Sequence, residues 1–270
     1  MDMRKYNPAM IATYSRRTAE DNSAYVLPLI KPDMRILDVG CGPGTITLGF
    51  AAHVPGGSVT GLDANSTAIE SAGDLCKERG VKNASFMVGD AFKLPFEDNS
   101  FDIVHAHQVL SHLPGGEDGP GPLRGLKEMR RVCKPGGFVC ARDVEWNSIV
   151  IYPPTQGVMD FLALIQKLAT HAGKVVVGGR GREFARRAGF SPQDILASAA
   201  AVTYTNEDGR KWAGENMARR LEASSDLKRG VELGFVTEEA AANMANAFRE
   251  WAKEEDAFYC MFDGQIICAK

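Results

Sequence analysis

No stretch of this 270-residue chain stays apolar for the roughly 20 residues that a membrane-crossing helix requires. Neither sign of charge predominates: 31 Lys and Arg stand against 34 Asp and Glu, a net charge of −3, and no basic stripe runs along the chain. Nucleic acid is therefore a poor partner. The six cysteines, Cys41, Cys76, Cys133, Cys140, Cys260 and Cys268, include no C-x-x-C pair, so neither a zinc site nor a disulfide framework is indicated. The first residues, Met1-Asp2-Met3-Arg4-Lys5-Tyr6, carry no apolar signal core, and a cytoplasmic protein is expected. Internal repeats and low-complexity tracts are absent as well.

What is present is a strand, a glycine turn, a helix and a second strand. Ile36-Leu37-Asp38-Val39 is a short, nearly continuous apolar run, as suits a parallel strand buried on both faces. Gly40 and Gly42 let the backbone turn sharply and approach a ligand with no side chain between. Helical spacing follows from Thr45, with Ile46, Leu48, Phe50 and Val54 to pack on a sheet, until Pro55-Gly56-Gly57 ends it. The next strand closes on Asp63, where a carboxylate can accept both hydroxyls of a ribose. The glycines stand as G-x-G-x-G, and Thr45 occupies the last position of a dinucleotide fingerprint. Pro43 removes one of the N–H donors that a pyrophosphate needs. The loop suits a nucleoside ligand without phosphates.

Five segments then occur in order: Asp38-Val39-Gly40-Cys41-Gly42-Pro43-Gly44, Gly61-Leu62-Asp63, Gly89-Asp90-Ala91-Phe92, Ser100-Phe101-Asp102-Ile103-Val104 and Lys134-Pro135-Gly136-Gly137. Over about residues 30–145 the chain resembles the class I S-adenosylmethionine-dependent methyltransferases, of the type that includes the ubiquinone and menaquinone biosynthesis enzymes. The resemblance implies an α/β, Rossmann-like sheet of seven strands, mostly parallel with the last antiparallel, helices on both faces and helical cap insertions. It implies S-adenosyl-L-methionine lying across Gly40, Cys41 and Gly42, with Asp63 on its ribose and Ala64 alongside. Asp90 would accept from the adenine amino group, Ala91 and Phe92 would flank the ring, and Asp38 would order the methionine end or bind backbone N–H groups. Cys41 reads as a space-filler rather than a nucleophile.

The organisation expected is a single domain. Residues 1–33 form an N-terminal helical segment, its helix spanning 8–31; residues 34–145 form the cofactor half, and 257–270 supply the last strand. Residues 146–179 and 206–256 exceed the minimal fold and read as helical cap or substrate insertions. The second of these is alternatively the interface of a homodimer. Strands are expected at 84–88, 101–107, 137–143 and within 194–205, and helices at 66–79, 123–132, 159–171 and 181–188.

Several residues carry candidate chemistry. Tyr14 and Arg17, ahead of the first strand, can reach the methionine end of the cofactor. His105 and His107 share one side of the fourth strand, two residues apart. His105 reads as a core residue, His107 as lining either cofactor or acceptor, and His107 or His112 as the base that assists deprotonation, His112 being the stronger candidate. A metal on these histidines is set aside, because a cofactor site already accounts for the position. Asp143 can orient a polar group of the acceptor and Trp146 can stack on it. A sulfonium methyl needs mainly in-line alignment and exclusion of water. A base is required only where the acceptor, an oxygen, carbon or nitrogen of a small molecule, must lose a proton. The alternatives are a cyclase, dehydratase or decarboxylase on the same fold, or a cofactor-binding regulatory subunit.

Overall fold

The computed structural model describes residues 14–115, 119–171, 176–223 and 225–270. The apolar run read as a parallel strand buried on both faces is one. Strand β1 (Arg35–Val39) is buried from Ile36 onward and pairs in parallel with β2 (Ser58–Asp63) and β4 (Phe101–His107). Strand β3 (Ala84–Val88) adds outside β2, and β5 (Cys133–Tyr152) outside β4, all parallel. With β6 (Ile195–Tyr204) and β7 (Phe258–Ala269) the sheet has the order β3-β2-β1-β4-β5-β7-β6. The Gly136 N–H donates to the Lys270 carbonyl at 2.6 Å and the Lys270 N–H to Gly137 at 3.0 Å. Farther along β5, Ser148 meets the Phe262 N–H at 2.8 Å, so β7 runs antiparallel to β5. Ser198 on Gln265 and Tyr204 beside Tyr259 give β6 the same antiparallel relation to β7. The sheet is thus mostly parallel with an antiparallel end.

By contact the chain divides into two compact units. One holds residues 14–144, 177–199 and 264–270. It includes helices α1 (Ala19–Asn22), α2 (Thr45–His53), α3 (Ser66–Glu78), α4 (Gly121–Val132) and α6 (Gly181–Arg187). Its core joins Ile36, Val59 and Ile103 of the sheet to Ile46, Phe50 and Val54 of α2 and to Ala19 and Val26 of the N-terminal segment. A side chain at Gly49 would come within 2.6 Å of the Ala19 Cβ, so glycine there is what lets the N-terminal turn lie directly on α2. Asn65 caps α3 by accepting from the Ala68 N–H at 2.8 Å. Asn83 Nδ2 donates to the Ala51 and Val54 carbonyls at the end of α2, both at 2.9 Å.

The other unit holds residues 145–176 and 200–263, which include α5 (Gln156–His171), α7 (Glu207–Ala223), α8 (Ser225–Glu232) and α9 (Glu238–Trp251). Phe161 and Phe248 meet edge to face at 5.0 Å, and the buried Trp251 donates its indole N–H to the Tyr152 carbonyl at 2.8 Å. Arg249 bridges α9 to α7 through Glu215 at 3.0 Å and Glu222 at 2.7 Å. Among the described residues no helix is long and apolar enough to cross a membrane.

Two elements differ from expectation. The helix expected over 8–31 is broken within the described residues: Tyr14 is helical, residues 15–18 are not, and the four-residue α1 and a short 3-10 turn, Leu27–Leu29, follow. Arg142 takes the Asp21 and Asn22 carbonyls at 3.2 and 3.0 Å, the acceptors that a continuing helix would offer to Tyr25 and Val26. Pro28 is then the second residue of the 3-10 turn, where a missing N–H costs nothing. The part of the expected helix before Tyr14 lies outside the described residues. The fifth strand, expected over 137–143, runs from Cys133 to Tyr152, because the distant β7 pairs with its continuation.

Candidate functional site

The site begins where β1 gives way to α2. Gly40, Gly42 and Gly44 all have positive φ, +70°, +54° and +81°, which glycine adopts without strain. The Gly40 and Cys41 N–H groups donate to the Leu62 carbonyl at 2.6 and 3.1 Å, drawing the loop against the end of β2. A Cβ on Gly42 would meet nothing within 4 Å, which leaves open space beside that backbone. The loop is a cradle against which a ligand can lie.

Asp63, 4% exposed at the end of β2, closes one side of it. Its Oδ2 accepts from the Gly42 N–H and its Oδ1 from the Asn65 N–H, both at 2.9 Å. Burial raises its carboxyl above the ordinary value, and those two amides pull the other way. One lone pair on each oxygen is used, which leaves acceptor capacity for a vicinal diol. The donor set and the open cradle fit the nucleoside end of S-adenosylmethionine. Ala64, beside Asp63, is exposed. The Cys41 thiol is buried, and burial pushes it well above the usual thiol range, as befits a space-filler.

Asp90 follows β3 and is exposed, its Oδ1 accepting from the Phe92 N–H at 2.8 Å. That turn presents Ala91 and Phe92, and the Arg124 guanidinium covers the Phe92 ring at 4.1 Å. At the exit of β4, His107 is 5% exposed, and among the described residues neither ring nitrogen has a hydrogen-bond partner. Burial holds it well below the ordinary histidine value, reinforced by the charge of Arg17 and by His105 and Arg142. Gln108, the next residue, has φ +52°, an uncommon conformation outside glycine. Its side chain accepts from Arg17, whose guanidinium lies 4.5 Å over the Tyr14 ring. Tyr14 and Arg17 thus stand with His107 at the end of β4. Sequence reasoning passed over Gln108, whose only signal is its place directly after the strand.

One alternative expected of Asp38 is corrected by the geometry. Asp38 does not bind the loop amides. It is 2% exposed and turned beneath the loop, where Oδ2 accepts from Thr47 at 2.6 Å and Oδ1 meets His105 Nδ1 at 2.8 Å. Asp143 directs Oδ2 to the Leu110 and Ser111 N–H groups at 2.9 and 3.4 Å. It therefore positions the 3-10 turn Leu110–His112, with His112 exposed at its end. Trp146 belongs to the other unit, where Arg220 lies 5.8 Å from its ring. Thr47 had a legible signal, a hydroxyl in the first turn of the helix that leaves the loop. Ser23, on the far side of His105, had none.

Residues 30–179 match the family described as a methyltransferase domain. An uncharacterized methyltransferase of Schizosaccharomyces pombe is 34% identical over 264 residues, 96% of this chain and 92% of that protein. A probable methyltransferase of Aspergillus luteorubrus is 30% identical over 98% of this chain and 95% of its own length. The crystal structure of a putative methyltransferase from Bacillus halodurans shares the fold, with a TM-score of 0.58 at 18% identity over 90% of this chain and 96% of that one.

Proposed function

The chain belongs to the class I S-adenosylmethionine-dependent methyltransferases, and we propose that its acceptor is a small molecule methylated at oxygen, carbon or nitrogen. The observation that carries the cofactor assignment to particular residues is the open face of Gly42 beside the buried carboxylate of Asp63. On this reading the ribose hydroxyls bond Asp63, the adenine lies by Ala91 and Phe92 with its amino group on Asp90, and Arg17 takes the carboxylate of the methionine end beside Tyr14. When bound, the cofactor supplies an already activated methyl on sulfur. The protein's part is then to hold the acceptor in line with that methyl and to keep water out.

His107 is assigned a different part from that of a base. A ring kept neutral by burial, with both nitrogens unsatisfied, is a weak proton acceptor but a good hydrogen-bond partner. We assign it to orienting the ligand. His112 remains the candidate base for acceptors that must be deprotonated, held in place by Asp143 through the Leu110–His112 turn. Trp146 is the candidate aromatic contact for an acceptor. The six cysteines are free and buried, which fits a reducing compartment such as the cytoplasm.

The test is a product assay. Incubation with S-adenosylmethionine and a panel of phenols, enolisable carbonyls and amines should yield S-adenosylhomocysteine and a product one methyl group heavier. Turnover of an acceptor without S-adenosylhomocysteine would instead support a non-methylating enzyme. His112→Ala should slow the acceptors that need deprotonation and spare those that do not.

A further inference from the structure

Beneath the glycine loop runs a continuous chain of buried side chains. Thr47 Oγ1 donates to Asp38 Oδ2 at 2.6 Å, His105 Nδ1 meets Asp38 Oδ1 at 2.8 Å, and Ser23 Oγ lies 3.0 Å from His105 Nε2. The four residues are between 0% and 2% exposed. A serine, a histidine and an aspartate in this order have the composition of a hydrolytic triad, but the serine is fully covered and no acyl substrate can reach it. The group must act within the protein.

The donors and acceptors assign themselves. Asp38 uses both oxygens as acceptors, so His105 donates from Nδ1 while its Nε2 pairs with the Ser23 hydroxyl. The chain thereby joins elements far apart in sequence: Thr47 in the first turn of α2, Asp38 in β1, His105 in β4 and Ser23 at the end of α1. Phe50 of α2 packs its ring edge-on against His105 at 5.0 Å. Ser23 ends the turn whose Asp21 and Asn22 carbonyls are held by Arg142 and whose Ala19 lies against Gly49. Six residues before Ser23 stands Arg17, bonded to Gln108 at the exit of β4.

We infer that Ser23 and His105 are positioning residues for cofactor binding, coupling the N-terminal segment 14–23 to the glycine loop through Asp38 and Thr47. The inference rests on the reading that Tyr14 and Arg17 serve the methionine end. A change at Ser23 touches no atom of the loop, yet it removes the hydrogen bond that ties the end of the segment to His105 of β4. It also leaves a buried His105 nitrogen unsatisfied. Cofactor affinity should fall while the chemical step is preserved.

The experiment compares native protein with Ser23→Ala, Thr47→Val and Thr47→Ser, using S-adenosylhomocysteine as the calorimetric probe. In native protein the probe should slow amide exchange at residues 17–23 as well as at 40–44. Ser23→Ala and Thr47→Val should weaken the probe about tenfold and abolish protection at 17–23. Thr47→Ser, which keeps the hydroxyl, should bind nearly as the native chain does. With S-adenosylmethionine and acceptor saturating, kcat of Ser23→Ala should stay within about twofold of native. Native-like affinity in Ser23→Ala, or no protection at 17–23 in the native chain, overturns the coupling. Failure of the native protein to bind the probe at all would overturn the cofactor reading itself. If Ser23→Ala does not fold, the pair at Thr47 and the native exchange pattern decide.

Discussion

At Asp63 two demands meet on one carboxylate. Burial raises its pKa, so the folded protein holds that proton more tightly than the unfolded chain does. The contribution to stability is therefore present at low pH and lost as pH rises through the raised value. Ligand affinity runs the opposite way, because the ionised form is the one able to accept two hydroxyls. Calorimetry with S-adenosylhomocysteine should show affinity falling on acidification, with a midpoint above the ordinary aspartate value. Asp63→Ala should weaken binding about 10- to 100-fold, the worth of hydrogen bonds to a charged acceptor. His107 has the reverse sign. Its folded pKa lies well below 6.5, so as pH falls through the unfolded value the unfolded chain takes up a proton that the folded one refuses. Stability should drop below about pH 6.5, by at most about 1.4 kcal/mol per pH unit from this residue. Denaturant titrations across pH 5–7 should show a shallower drop in His107→Phe.

At the level of elements, most boundaries follow local chemistry and a few follow distant partners. Helix α2 starts at a left-handed glycine and ends where Asn83 receives its last carbonyls. Asn83→Ala should cost about 1–3 kcal/mol, visible as a lower denaturant midpoint with an unchanged m-value. Phe50, fully buried on the same helix, should cost about 3–5 kcal/mol on truncation to alanine. The N-terminal segment shows the other kind of control. Its apolar spacing reads as one long helix, but Arg142, more than a hundred residues later, competes for the carbonyls that would extend it. Strand β5 outlasts its expected end because β7 pairs with it.

Across the whole molecule none of the six thiols lies open to solvent. All are buried, and burial raises Cys133 to about 11 and Cys268 to about 12. Ellman's reagent should therefore react slowly with native protein and with all six thiols once it is unfolded. The individual strands, the glycine loop and the carboxylate ending β2 could be read from the chain, because each depends on residues within a few positions of one another. Backbone conformation at Gly40 to Gly44, the capping of α3 and the burial of Ile36 to Val39 are local or periodic properties. The roles of Asp38, Asp143 and His107 could not be read in this way. A carboxylate in sequence does not reveal whether it faces a ligand, a backbone amide or a buried histidine. That is decided by which side chains the sheet brings within 3 Å, and Ser23 and His105 are 82 residues apart. The sequence by itself determined the kind of sheet and the methyl donor. Tertiary structure alone decided which polar groups are turned inward to hold the fold, since burial and hydrogen-bond partnership exist only once the elements are packed.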